Sequence, residues 1–540
     1  MPKNQELTPD FSSKARQIQL AGDWRIPTQA AIITENGSQT LIFSQAAIED
    51  HVGDDLEAKD VFTLLKLMLA DPATQSREEE KKLVMAAQRL NNMILEQHRV
   101  AGSLPPGVHT VLDVFREFLR YFWDIIRADI AAKTPLSAEI LDYVLHKHTR
   151  IVVAAPAIWT STMNNQFRKL LIDAGFTCAH IRSEPKLISA VIVREQQQDL
   201  QAKSTTDQVR RLRECACVVL DIGAGTTDLN SIQVTQTSPV LKFRTLLVGS
   251  GSMSGNELLN RLFSRSLSSY LYDHNCMTQI ETRVGLSSLE ILQSFVLGWE
   301  DAKRDFHVGA TGAVKIPFKP VKETEAKLPK IPAVGMSGDF IRMPAAMVKA
   351  VFDEYLGIIK GLLDQQLDAL DDPKFSALKK KKAIFLAGGG SLIPYISQTL
   401  ISQYTKLNQE VVHHDDNNCS LVAKGGVLAA IDPSLGRHEF SRTTYGIPLS
   451  VPYDETDDRH VAEKHLRVRT PSYLKHKWEM PRQFETLIRY GERLNVAGRP
   501  AMINEVIMFR AVDISWPLEL EQDIYQVDEP AYGLKEDHWR

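Results

Sequence analysis

The apolar positions of this chain change period several times, and each change marks a different kind of element. From Gln17 onward they come in short runs, QIQLAGDW, IPTQAAIITENG and SQTLIFSQAAIEDHV, separated by turn residues. Such runs read as strands, and Glu35-Asn36-Gly37 between two of them is a hairpin signal. From Glu57 to Val144 the spacing becomes i, i+3, i+4 in VFTLLKLMLA, KKLVMAAQRLNNMILEQH and VLDVFREFLRYFWDIIRADIAA, which predicts amphipathic helices. Pro105-Pro106, between Gly102 and Gly107, interrupts them. The aromatic positions of FREFLRYFWDII are read as core packing.

At Arg150 the period shifts again. IVVAAPAIW reads as a buried strand ending in a proline turn, and TSTMNNQFRKLLIDAGF as a helix with Gly175 as its C-cap. A short strand from Cys178 to Ile181 and the turn Ser183-Glu184-Pro185 lead into the helix KLISAVIVREQQQ. The polar stretch QDLQAKSTTDQVRRLRE marks a boundary. Beyond it stand two apolar runs of strand length, CACVVL and LNSIQV, joined by Asp221 to Asp228, DIGAGTTD. A glycine turn between two strands is a hairpin, and N–H groups pointing inward from such a turn form an anion nest. Gly223 and Gly225 permit the turn, Thr226 and Thr227 add hydroxyl donors, and Asp221 and Asp228 suit a hydrated divalent cation. An ordinary glycine hairpin with polar flanks is the alternative.

Further on, LKFRTLLVGSGSMSGNELLNRLFSRSL predicts strand, glycine/serine loop and helix, and SLEILQSFVLGWEDAKRDF another helix before the strand VKIPF. VKETEAKLPKIPAVG reads as a charged surface loop, and Pro344 to Leu370 as one long helix. AIFLAGGGSLIPYISQTLISQY is strand, glycine turn and helix; LVAKGGVLAAI is a last small-residue helix. After Asp432-Pro433 come β-like runs, TTYGIPLSV, EVIMFRAV and ISWPLEL, enough for a small β-rich module. Glycine turns thus follow buried strands at Asp221, at Val248–Gly255 and at Gly388–Gly390, each a place where N–H groups face an anion or a nucleotide.

Composition narrows the class. At 540 residues the chain exceeds what one core supports, so two or more lobes are expected. A net charge of −4 gives no support to nucleic-acid binding. Five cysteines (Cys178, Cys215, Cys217, Cys276, Cys419) in mostly apolar runs predict reduced thiols in a cytoplasmic protein. No window approaches the ~20 apolar residues of a membrane span, and the polar MPKNQELTPD is not read as a signal peptide. His413-His414-Asp415-Asp416 and Lys379 to Lys382 read as solvated surface groups.

The order of these motifs resembles the nucleotide-binding half of the 70-kDa heat-shock protein family, over roughly Gln17 to Pro433, in the divergent branch that lacks the usual substrate-binding half. The resemblance implies an α/β fold with two actin-like lobes around a cleft for ATP or ADP with Mg²⁺. Residues 1–212 would form lobe I, with a helical insertion at about 50–148. Residues 213–436 would form lobe II, with the helix 421–431 returning to lobe I, and 437–540 a β-rich extension. By the same likeness Asp221 would meet the Mg²⁺ water shell, and Gly223, Ala224 and Gly225 would present N–H groups to phosphate. Glu184 would position the attacking water, and Pro156 would act as a switch. Gly255 matches a loop glycine, while Glu300, Lys303 and Arg304 match the set lining adenosine. Gly388, Gly389 and Gly390 match the adenosine turn, and Gly425 or Gly426 would let two connecting helices cross.

The chain also departs from that pattern. Asp10-Phe11-Ser12-Ser13 only echoes the family's first phosphate loop, without its glycine, and Leu392 stands where an arginine stacks on adenine. Charge-assisted bonds to phosphate are each worth about 1.5–3 kcal/mol, so a weak or absent ATPase is expected. The implied function is a chaperone-like or binding protein acting through a protein partner, with no nucleic acid and no membrane. The alternative is a small-molecule enzyme, a cofactor-independent cyclase or isomerase of a biosynthetic pathway, that holds a small hydrophobic ligand in the old cleft.

Overall fold

The computed structural model describes residues 30–35, 38–43, 61–75, 77–177, 179–203, 214–236, 242–321, 326–378, 382–413, 420–432, 444–456, 458–462, 464–469, 478–488, 495–496, 499–500 and 525–527. The Asp10–Ser13 stretch, most of the two charged surface runs and the segments EVIMFRAV and ISWPLEL lie outside them. The chain divides into two compact units, Met1–Trp159 with Met163–Gly436, and Thr160–Thr162 with Arg437–Arg540.

The first unit begins with the hairpin β1 (Ala31–Glu35) and β2 (Ser38–Ile42), closed at Glu35 and Ser38. Three helices follow, α1 (Glu78–Val100), α2 (Val111–Lys133) and α3 (Ala138–Lys147). The start of α2 is set by a capping box, in which the Thr110 hydroxyl accepts from the Asp113 N–H while Asp113 reaches back to the Thr110 N–H. Its aromatic residues Phe115, Phe118 and Trp123 are buried in the core, as the periodicity predicts. VFTLLKLMLA, however, is not a full helix. It forms only a five-residue 3₁₀ turn, Leu65–Leu69, entered through Leu64 at φ 52°. Burial of Leu65, Leu67 and Leu69 overrides the helical spacing.

Strands β3 (Ile151–Ala155) and β4 (Ala179–Ser183) pair in parallel, with helix α4 (Ser161–Asp173) between them in sequence and α5 (Glu184–Lys203) after them. The central sheet then forms from β5 (Cys217–Ile222), β6 (Thr227–Gln236), β7 (Lys242–Thr245) and β8 (Ser250–Ser252), joined later by β13 (Ala383–Ala387) and β14 (Glu410–His413). Between these come α6 (Asn256–Asp273), α7 (Met277–Val284), α8 (Ser288–Asp305), strands β9 (Ala313–Pro317), β10 (Leu328–Ile331), β11 (Met336–Gly338) and β12 (Phe340–Pro344), and the long helix α9 (Ala345–Ala369). Helices α10 (Pro394–Lys406) and α11 (Leu421–Ile431) complete the unit.

The sheet order is β14-β13-β5-β6-β7, with β8 also on β6; β14, β13 and β5 run parallel, and β5, β6 and β7 antiparallel. Alternation sends Val218, Leu220, Ile222, Ile384 and Leu386 to one core with α6, α9 and α10. Cys217, Val219, Ala383 and Phe385 go to a second core, with Ile188, Val191 and Ile192 of α5. Both faces are covered, which is why CVVL and AIFLA read as unbroken apolar runs. Truncating Leu220 to alanine here costs about 2–5 kcal/mol. Helices α5 and α11 cross at Gly425, where a Cβ would stand 2.2 Å from the Leu187 carbonyl oxygen; at Gly426 the nearest atom is an ordinary 3.7 Å away.

One expectation needs correcting. The segment read as a charged surface loop contains β10, in an antiparallel sheet of order β10-β11-β12-β9. Pro329 misled the reading, but β10 is an edge strand, where a missing N–H is tolerated.

In the second unit β16 (Val468–Arg469), β17 (Trp478–Ile488), β15 (Thr444–Pro452) and β20 (Tyr525–Val527) form an antiparallel sheet in that order. Among the described residues no helix is long and apolar enough to cross a membrane.

Candidate functional site

The β5–β6 hairpin is closed by the Gly223 N–H, which donates to the Thr226 carbonyl at 2.9 Å. That leaves Ala224-Gly225 as the tip. The three carbonyls of the turn are taken up by the start of α6. Gly223 O accepts from the Asn256 N–H at 3.0 Å, Ala224 O from Glu257 at 2.9 Å and Gly225 O from Gly255 at 3.3 Å. Helix-start N–H groups that would otherwise seek an anion are therefore spent on holding the turn. Among the described residues nothing accepts from the N–H groups of Ala224, Gly225 or Thr226. Three successive donors thus stand at the tip of the turn, one residue further along than the sequence match placed them, since the Gly223 N–H is occupied. Gly255 is required by close approach: a Cβ there would lie 2.4 Å from the Ala224 carbonyl oxygen.

Beside the turn lie three carboxylates and one cation. Asp221, at the end of β5, is 6% exposed, and no described residue donates a hydrogen bond to its carboxylate. Burial, then the charges of Glu184 and Asp228, push its pKa well above the usual carboxylate range, and Lys66 opposes them. Asp228, its cross-strand partner, accepts from the Ile158 N–H at 3.1 Å and the Thr226 hydroxyl at 2.6 Å. Burial and Glu184 still raise it to about 7. Glu184 opens α5 and forms an ion pair with Lys66 at 3.3 Å. Among the described residues no three acidic, histidine or cysteine side chains converge as direct metal ligands.

The other glycine turns close on this hairpin. Gly388, at φ 81°, has its Cβ position 2.4 Å from Asp221 Oδ1, so no side chain fits there. Gly390 packs on Ile222 and on Asn256 Oδ1, a buried acceptor with no partner, whereas Gly389 faces open space. The Thr227 hydroxyl donates to Ser254 O at 2.7 Å, and the buried Tyr355 hydroxyl donates to the same oxygen at 3.0 Å. Thr227 is thus a structural tie, not a free donor.

The set matched to adenosine lies on α8 and meets α6 at Asn260. Lys303 is 3% exposed; its Nζ donates to Asn260 Oδ1 at 2.9 Å and to Glu300 Oε1 at 2.6 Å. Asn260 in turn donates to Glu257 at 3.3 Å. Burial lowers the Lys303 pKa, opposed by Glu300 and Glu257, while burial raises Glu257. Arg304 is exposed and Leu392 is 40% exposed.

The site therefore joins Asp221, Asp228, Glu184, the 224–226 donors, Gly255 and Gly388–Gly390, with Lys303 and Glu300 one helical turn away and Arg304 outside. Sequence reasoning missed Lys66, whose signal was a lone cation inside the leucine run LLKLML. It also missed Glu257, the acid that α6 buries beside Asn260.

Two families match the chain: the N-terminal domain of a domain of unknown function (DUF8340) over residues 10–194, and that domain of unknown function (DUF8340) itself over residues 213–414. The chain is also similar to the "Chaperone protein DnaK" of Carsonella ruddii (strain PV). The two are 24% identical over 329 residues, 60% of this chain and 48% of that protein. The chain thus spans about half the length of the curated relative it matches. This likeness hints at a distant relationship to heat-shock-70 proteins.

Proposed function

We propose that this chain is a heat-shock-70-like protein of the cytoplasm that binds a magnesium nucleotide weakly, hydrolyses it slowly or not at all, and acts through a protein partner. The observation that carries the reading is the nest of free N–H groups at Ala224, Gly225 and Thr226 beside the unpartnered carboxylate of Asp221. Donors on one side and, on the other, a buried carboxylate to which no described residue donates a hydrogen bond fit a phosphate accompanied by Mg²⁺. The ion would neutralise phosphate charge that Asp221, Asp228 and Glu184 otherwise repel.

The chain's own residues then divide the work. The turn N–H groups would hold phosphate oxygens, and Asp221 and Asp228 would hold water around the ion; Glu184, paired with Lys66, would orient a water toward the terminal phosphate. The sheet order, a three-strand antiparallel meander extended by two parallel strands on its first strand, supports an actin-like lobe at 213–436 facing a lobe at 1–212. Weakness follows from the exposed Leu392, which offers adenine no cation to stack on, forfeiting about 0.5–1 kcal/mol.

Calorimetric titration with Mg·ADP and Mg·ATP, with phosphate release measured in parallel, tests this. The expected outcome is a weak, magnesium-dependent isotherm with little turnover. Tight binding with brisk turnover abolished by Glu184→Gln would refute the weak-ATPase part. No heat with either nucleotide at any magnesium concentration would remove the nucleotide reading altogether.

A further inference from the structure

The segment Ser250–Gly255, strand β8 and the turn after it, touches the hairpin turn on one side and the first turn of α1 on the other. Glu80, in that first turn, is 2% exposed, although it is a carboxylate on a helix of mixed polarity. It pairs with Arg77 at 3.2 Å, and the Ser252 side chain and the Met253 N–H lie beside its carboxylate. Ser252 bonds Ser254 through their hydroxyls. Ser254 O is the shared acceptor of Thr227 and Tyr355, and the Gly255 N–H holds the Gly225 carbonyl. A chain of neighbouring polar groups thus runs from Glu80 through Ser252 and Ser254 to the turn whose N–H groups form the proposed nest.

The same turn of α1 is gripped from outside. Arg265 of α6 places one guanidinium nitrogen 2.6 and 2.7 Å from the two carboxylate oxygens of Glu354 on α9, and another 3.6 Å from Glu79. Arg261 donates to the Lys82 carbonyl at 3.3 Å. Arg77 Nη2 lies 3.8 Å from the Cβ position of Gly361, in the space a side chain there would take. A buried carboxylate with three polar partners is costly to keep unless they stay in place. Burial raises its pKa, and Arg77, Ser252 and Met253 pull it back.

We propose that the first turn of α1 is a clasp on the Ser250–Gly255 loop, with Glu80 the positioning residue through which the helical insertion sets the geometry of the anion nest. Opening the clasp loosens the loop, lets Gly255 move from Gly225, and spreads the three N–H groups. The part concerning ligand affinity rests on the nucleotide reading above; the part concerning the loop does not.

Hydrogen exchange of the ligand-free full chain separates the two. Glu80→Ala speeds exchange of the 250–255 amides by at least about tenfold. Glu80→Gln, which keeps an acceptor for Ser252, restores most of the protection. Leu83→Ala, a buried residue one turn along α1, lowers the melting temperature comparably and leaves those amides protected. Mg·ADP titration of the same proteins then shows affinity falling for Glu80→Ala and recovering for Glu80→Gln. If Glu80→Ala leaves the loop as protected as wild type, or Leu83→Ala exposes it equally, the clasp is overturned. If the loop loosens while Mg·ADP affinity stays the same, the coupling to the nest is overturned. If wild type binds no Mg·ADP, the nucleotide reading fails, and the affinity part of the proposal with it; exchange still decides the clasp.

Discussion

The two ends of the candidate cleft are built on opposite terms. At the hairpin, hydrogen-bonding capacity is left over: among the described residues three successive N–H groups have no acceptor, and the Asp221 carboxylate has no donor. At the α6–α8 contact the charged groups are used up, because Lys303, Asn260, Glu300 and Glu257 bond one another, and among the described residues only the buried Trp299 indole N–H is left over there. Unsatisfied groups cost stability and are kept where a ligand completes them; satisfied ones rigidify a core. The hairpin end therefore has the character of a recognition surface, and the lysine end that of a support.

The sharpest way to break that contrast is Lys303→Met. Removing the cation leaves Asn260 Oδ1 without its buried donor and takes the positive charge away from Glu257 and Glu300, and stranding such a buried polar group costs about 1–3 kcal/mol. The melting temperature should fall steeply, while Mg·ADP affinity, measured well below the transition, changes by less than about fivefold, under 1 kcal/mol. Affinity lost without loss of stability would make Lys303 a ligand contact and erase the difference between the ends.

Gly255→Ala is the complementary change. A methyl group 2.4 Å from the Ala224 carbonyl oxygen must push the turn away. Displacing a preorganised site by about 1 Å costs on the order of a hundredfold, here in Mg·ADP affinity by calorimetry. Wild-type affinity in this variant would show that the nest is not where the ligand binds.

These two ends were not equally legible in the sequence. The hairpin could be found because DIGAGTTD sits between two apolar runs, and strands buried on both faces announce themselves. Its details could not. Which N–H groups are free depends on α6, whose start lies about thirty residues later and takes the carbonyls. Lys66 was hidden because LLKLML has helical spacing yet forms a 3₁₀ turn that points leucines inward and the lysine toward Glu184. β10 was hidden by Pro329, which only edge position makes tolerable. At the lysine end, side-chain saturation among Glu257, Asn260 and Lys303 is a tertiary fact that motif matching cannot show.

Acidity offers a third, smaller probe of the hairpin end. The Asp228 carboxyl is raised to about 7 in the folded chain, against an unfolded value near 3.9. A raised carboxyl contributes stability that is fully present below the unfolded pKa and is lost as pH rises through the folded one. Between pH 8 and pH 6 the ligand-free protein should thus gain about 1–1.5 kcal/mol from this group, with Asp221 shifting in the same direction. Denaturant unfolding at the two pH values measures it, and Asp228→Asn should flatten the difference. Magnesium at pH 8 should flatten it as well, by favouring the ionised pair. A pH dependence that survives Asp228→Asn unchanged would assign it elsewhere.

The smallest effect tests whether the turn after β13 can be made to recognise a base. Leu392 closes the 3₁₀ turn Gly389–Leu392 after the glycine turn and is 40% exposed, so a longer side chain there meets solvent rather than core. Leu392→Arg places a guanidinium where the resemblance to the heat-shock family puts a base-stacking cation. At an exposed site such stacking is worth about 0.5–1 kcal/mol, a two- to fivefold gain in Mg·ADP affinity. Ribose-free Mg·pyrophosphate, which engages only the hairpin, should bind the variant and wild type alike. Equal gains for both ligands would mean that the arginine acts as a general positive charge, and salt would then erase the gain. A gain confined to the nucleotide would show that the two ends belong to one cleft, with its recognition concentrated at the phosphate end.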